Sequence, residues 1–228
     1  MAKLNVRVHN KIVSYLDKRC ASRRKKRLNN GDFSIICNNC WGGYVYRRYG
    51  IPYLTPTVGL YFFASDFIKL CSDVKGYMRK PLEFIPYTES KYRAEIEAKG
   101  QTAVPIARLG DVEVVFLHYK TQEEAEEKWT RRAERINYDN LIFKFSKMNI
   151  CGDEEMTAFD AFDFQKKIMF TPPADAKRFK CAIAFKSAAG NSEITNDTAE
   201  YSRYVKLTEM INAKRVCGTF MEGIWRDN

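Results

Sequence analysis

Histidine is almost missing from this chain: His9 and His118 are the only two in 228 residues. With so few, and with no second C-x-x-C beside Cys37 and Cys40, neither zinc-finger spacing nor an H-x₃-H metal pair can be built, and no metal is expected. No D-x-D pair occurs, although Asp160 and Asp163 come near, so the acidic pair that holds a metal in many glycosyltransferases is lacking. No run of eighteen apolar residues is present, which excludes a membrane-spanning helix. Arg7, Asn10 and Lys11 interrupt the only segment that could serve as the apolar core of a secretory leader, so no leader is expected. Internal repeats and low-complexity linkers are also missing. The seven cysteines are an odd number without framework spacing, which points to reduced thiols and a cytoplasmic setting.

What is present is a globular composition, 45% hydrophobic and 29% charged, which excludes wholesale disorder. The net charge of +10 is unevenly placed. Residues 1–30 hold ten basic side chains against Asp17 alone, a net of +9, which leaves +1 for everything after them. Within this segment Leu4, Val8, Ile12 and Leu16 recur at helical spacing, and Val13 and Cys20 widen the stripe. Residues 1–30 therefore read as a basic amphipathic helix. It either packs on the body with its charges solvated or lies on an anionic membrane, where each basic group contributes about 1 kcal/mol. Nucleic acid is not an expected partner, because aromatics for base stacking are not interleaved with the charge.

Residues 31–228 read as an α/β domain with a mixed or mostly parallel sheet flanked by helices, two small subdomains being an option with a break near 147–166. Strands are expected at Phe33–Cys37, Leu60–Phe63, Leu82–Tyr87, Val104–Arg108, Val112–Tyr119, Leu141–Phe145, 167–171 and 181–186. Helices are expected from Trp41 to a stop at Gly50, over 66–79 with Ser65 as N-cap, and over 89–98, 122–136, 153–161 and 199–213. The stretch 187–198, rich in Ser, Ala, Gly and Asn, reads as a surface loop.

Cys40 follows a strand and precedes Gly42, Gly43 and a helix, a place where free amides and the helix dipole can lower a thiol pKa and hold an oxyanion. His118 ends the most strand-like run, at the edge where α/β folds bind ligands. Cys40 as nucleophile and His118 as base are the minimum for thiolate chemistry, and the order Cys40, His118, then Asp139 or Asn140 is that of papain-like triads. The competing reading makes Cys40 a partly buried thiol in a tight turn and Asp139–Asn140 the turn after a helix. A redox role for Cys37 and Cys40 ranks third, because Cys37 ends an apolar strand. Arg131, Arg132 and Arg135 close a helix that acids open; they either complement its dipole or clamp a phosphate. Trp129 reads as core, and tyrosines between Tyr44 and Tyr61 could wall a sugar ring.

Three blocks, FSIICNNCWGGYVYRRYGIPYLTPTVGLYFFASDFIKL (33–70), FLHYKTQEEAEEKWTRRAERINYDNLIFKFS (116–146) and KIMFTPP (167–173), resemble the bacterial domain of unknown function 1919 family. Its members are often labelled exopolysaccharide biosynthesis proteins, and serine is usual in them where this chain has Cys37. The N-N-C-W-G-G turn is also distantly similar to the Cys-bearing turn of a group called papain-like cysteine peptidases. The resemblance implies a protein of cell-surface polysaccharide assembly acting at the cytoplasmic membrane face on a sugar nucleotide or lipid-linked sugar. On that expectation Cys40 and His118 catalyse group transfer, such as acyl transfer. Asn38, Asn39, Trp41, Gly42 and Gly43 would line the site, the amides of Trp41 and Gly42 joining Asn39 on developing negative charge. Arg131, Arg132 and Arg135, with Asp139 and Asn140, would complete it, and no cofactor is expected. The alternatives are a non-catalytic protein that binds glycan precursors or partner enzymes, and, third, a glycosyltransferase.

Overall fold

The computed structural model describes residue 15 and residues 19–217. Most of the expected helix over 1–30 lies outside the described residues; of the remainder, 19–25 are helical. Four apolar segments form one parallel sheet in the order β1 (Ser34–Cys37), β5 (Leu141–Ser146), β6 (Lys167–Thr171), β7 (Ala182–Ala184). A second sheet is antiparallel and small, running β2 (Glu83–Ile85), β3 (Ile106–Leu109), β4 (Val112–Val115). The protein is therefore a mixed α/β fold. The stretch 147–166 falls on the crossover between the paired strands β5 and β6. Among the described residues no helix is long and apolar enough to cross a membrane.

Burial on both faces explains why the parallel strands read as near-continuous apolar runs. Alternation along β5 still decides which side chain goes where. Phe143 and Phe145 enter a core shared with α2 (Ala64–Ser72), α5 (Gln122–Ala133) and α6 (Asp153–Ala161). Ile142 enters a second core with α1 (Trp41–Tyr49) and α8 (Leu207–Asn212). Phe145 stacks on Phe67 with centroids 5.6 Å apart, and truncating a core ring of this kind to alanine costs about 3–5 kcal/mol. Lys144 shares the face of Ile142 and is fully buried.

Several elements are shorter than their patterns predict. Leu60–Phe63 makes only a single bridge, Tyr61 to Val115. The helix expected over 66–79 starts at Ala64 and breaks at Asp73, whose carboxylate accepts the Gly76 amide and starts a separate turn, α3 (Val74–Tyr77). Ser65 is not its N-cap, its hydroxyl being paired with that of Tyr92. The helix over 89–98 contracts to α4 (Arg93–Ala98), and that over 199–213 to α8. The strand expected to reach Tyr119 stops at Val115. The chain there turns so that the His118 amide bonds the Gly59 carbonyl and the Tyr119 hydroxyl donates to that of Val58.

Candidate functional site

Cys40 lies just past the carboxyl end of β1. Asn38 fixes that end by donating to the Ser146 carbonyl at 2.9 Å and accepting the Ser146 amide at 3.0 Å, which ties β1 to β5. Cys40 is the N-cap of α1, with φ −72° and ψ 0°, and its side chain caps nothing. Its Sγ instead points to the Leu60 carbonyl at 3.6 Å. Burial pushes the Cys40 thiol up to about 12; Cys37 and Asp197 add to the rise and Lys144 opposes it. Desolvation thus outweighs the lowering that a helix N-terminus was expected to produce.

The expected oxyanion site is not formed. The Trp41 amide donates to Asn39 Oδ1 at 3.1 Å, the Gly43 amide to the Cys40 carbonyl at 3.1 Å, and the Gly42 amide faces Cys37 Sγ. Packing accounts for both glycines. A Cβ on Gly43 would lie 2.8 Å from Val58 Cγ1, and one on Gly42 would lie 3.2 Å from Cys37 Sγ. Cys37 is fully buried, its thiol donating to the Asn39 carbonyl at 3.0 Å. Trp41 is also fully buried, edge-on to Phe170 and Tyr201. Both are core residues.

Cys40 and His118 do line one cavity, of about 360 Å³, together with Gly43, Val58 and Gly59. Its remaining wall is Tyr44, Tyr53, Tyr119, Arg47, Lys128 and Arg132, with no carboxylate among the lining residues. Arg47 stacks on Tyr44 at 4.4 Å. Lys128 lies over the Tyr119 ring at 5.6 Å and is ion-paired with Glu124. Arg132 sits over Tyr53 at 4.8 Å, and its Nη1 donates to the Tyr119 hydroxyl at 2.6 Å. Arg132 is only 8% exposed, yet no carboxylate pairs with it among the described residues. A guanidinium that has lost most of its water and meets a phenol and ring faces but no carboxylate can still take up an anion.

The other expected site residues lie elsewhere. Arg131 pairs with Glu127 on the exposed face of α5, and Arg135 reaches the Tyr53 carbonyl, at 3.4 Å. Asn140 accepts Lys166 Nζ at 3.0 Å, and its carbonyl takes the amide of Ser34, the first residue of β1. It lines a separate cavity of about 490 Å³ with Lys166, Asn212 and Arg215, at the end of the sheet opposite Cys40. Asp139, next to it, is exposed. The papain-like order Cys40, His118, Asp139 or Asn140 therefore does not become a triad.

Residue-by-residue reading missed Arg47, Lys128, Tyr119 and the pair Lys144–Asp197. Tyr44 and Arg47 stand three apart on one helix, a usable signal for neighbouring side chains. Lys144 in LIFKFS was a further signal, a lone cation inside an apolar strand. Asp197 had none, being drawn in from a polar stretch by partners far away in sequence. Among the described residues no group of three His, Cys, Asp or Glu could hold a metal ion.

Comparison with known proteins returns one family, a domain of unknown function (DUF1919), whose model matches residues 11–216. An uncharacterized protein of Haemophilus influenzae is similar as well, 29% identical over 179 residues that cover 78% of this chain and 79% of the relative.

Proposed function

The chain belongs to the domain of unknown function family DUF1919, and we propose that it binds an anionic sugar, a sugar phosphate or sugar nucleotide, in the cavity beneath Cys40 and His118. The observation that carries this reading is Arg132, nearly buried, without a carboxylate partner among the described residues, and set between two tyrosines. Arg47 and Lys128 add charge of the same sign at the same wall. Guanidinium groups suit phosphate, and the faces of Tyr44 and Tyr53 suit a sugar ring or base. The polysaccharide context rests on the resemblance alone, and with it the expected tethering of residues 1–28 to an anionic membrane. Deleting 1–28 should move the protein off anionic vesicles, and unchanged partition would end the tether.

Group transfer with Cys40 as nucleophile and His118 as base is a second reading, favoured because both residues line this cavity. The protonated thiol and the engaged amides of α1 weigh against it, so binding is the primary conclusion. Calorimetric titration with glucose 1-phosphate and uridine diphosphate glucose tests it. Saturable binding is expected, and Arg47→Met and Arg132→Lys should each weaken it about tenfold, as loss of a charge-assisted hydrogen bond does. No binding of either compound, or equal binding by both variants, would remove the proposal.

A further inference from the structure

Residues 187–198, expected as a surface loop, turn inward across the carboxyl ends of β1 and β5. The Ile194 amide bonds the Lys147 carbonyl at 2.8 Å. Glu193 accepts the amides of Asn149 and Cys151, at 3.1 and 2.8 Å. Asp197, 1% exposed, receives Asn39 Nδ2 at 2.9 Å and Ser146 Oγ at 2.6 Å, and pairs with the fully buried Lys144.

Three features make this an uneasy place for a merely structural tie. Among the described residues Asp197 Oδ1 is buried without a hydrogen-bond partner, as are Trp41 Nε1 and Thr171 Oγ1. The Lys144 ammonium lies over the Trp41 and Phe170 rings, at 5.8 and 5.1 Å. Asn149 and Ile150 are consecutive residues with φ of 61° and 62°, and for a β-branched, exposed isoleucine that conformation is strained. Glu193 spans this pair, taking the amides of Asn149 and Cys151 on its two carboxylate oxygens. Both acids of the segment thus sit on donors arranged at the sheet edge where α/β folds hold ligands.

We propose that Asn39, Lys144 and Ser146 form a second anion site, for a phosphate group, and that residues 187–198 are a strap masking it, with the Asp197 carboxylate as a placeholder the phosphate displaces. An ammonium, a hydroxyl and an amide donor converge there, and Lys recognises phosphate as a point charge. Phosphate brings more acceptor oxygens than a carboxylate, enough to engage all three of these donors. Asn39, Lys144 and Ser146 adjoin the Arg132 cavity through Cys40 but do not line it, and failure of this site would leave the sugar-binding reading standing.

Inorganic pyrophosphate is the probe. Hydrogen exchange over 187–198, including the Ile194 amide, should speed up when millimolar pyrophosphate is added. Asp197→Asn, which keeps the shape and removes the competing charge, should bind pyrophosphate about tenfold more tightly, because the competent state is no longer rare. Adding Lys144→Met to Asp197→Asn should abolish that gain, whereas Arg47→Met should leave the strap response intact. Unchanged exchange in the wild-type chain would overturn the proposal, and that measurement needs no variant to fold. A gain that survives Lys144→Met, or no gain in a folded Asp197→Asn protein, would overturn it equally.

Discussion

At the amino edge of the parallel sheet, Lys166 donates to Asn140 Oδ1 and to the Ile211 carbonyl, and Arg215 is paired with Asp163. At the carboxyl edge, among the described residues, Arg132 has a phenol and two aromatic faces, and Arg47 a single tyrosine ring. The amino-edge cavity is the larger, about 490 Å³ against about 360 Å³. Two of its cations, Lys166 and Arg215, are nonetheless committed and the third, Lys214, is exposed to solvent, whereas Arg132 is nearly buried and neither it nor Arg47 is paired with a carboxylate among the described residues. Uncommitted donors, more than volume, mark where this molecule can take a ligand.

The largest effect that can break this contrast concerns Cys40. With its thiol raised from 9.0 to about 12, the native protein should alkylate at Cys40 about 1,000-fold more slowly than a free thiol at neutral pH, following the thiolate fraction. The same shift should add stability that is full below pH 9 and falls as pH rises from 9 towards 12, because the folded state holds the proton the unfolded state releases. Mass-spectrometric rates at Cys40 and urea titrations across that range read both. Fast labelling at neutral pH would restore the thiolate mechanism and make the carboxyl edge a reaction centre.

A smaller effect separates the two edges by their purpose. Lys166→Met should cost about 1–3 kcal/mol in urea unfolding, since the buried Ile211 carbonyl loses its donor, and should leave sugar-phosphate affinity unchanged. A loss of affinity would make the amino edge the binding site after all. Smallest of all, Arg131→Ala should change stability by no more than about 0.5 kcal/mol and affinity not at all, Arg131 being exposed and paired only along its own helix.

The parallel sheet was legible because β1, β5 and β6 are buried on both faces and so spell apolar runs, and because Gly50 closes α1 in the left-handed conformation a glycine accepts. The helix at 153–161 also matches its pattern. The antiparallel excursion was harder. Residues 116–119 look like strand, yet bonds to Val58 and Gly59 pull them into a turn, and those partners lie far upstream. In the site, Cys40, His118 and Arg132 line one cavity, whereas Arg131, Asp139 and Asn140 do not. Spacing places side chains along one element; it cannot say which distant element comes to meet them. Asp197 is the clearest instance, a residue of a polar stretch whose burial depends on Lys144, Ser146 and Asn39.

The clasp between Asn38 and Ser146 joins residues 108 apart in the chain. During synthesis β1 and its Trp41 turn leave the ribosome long before their sheet neighbour β5 exists. Closing so long a loop is entropically costly and slows folding. Every residue lining the cavity at Cys40 precedes β5, yet the strand end that carries Cys40 is tied down only when Ser146 arrives. A chain truncated before β5 would hold all the lining residues without that clasp, so ligand binding reports on completed folding as well as on chemistry.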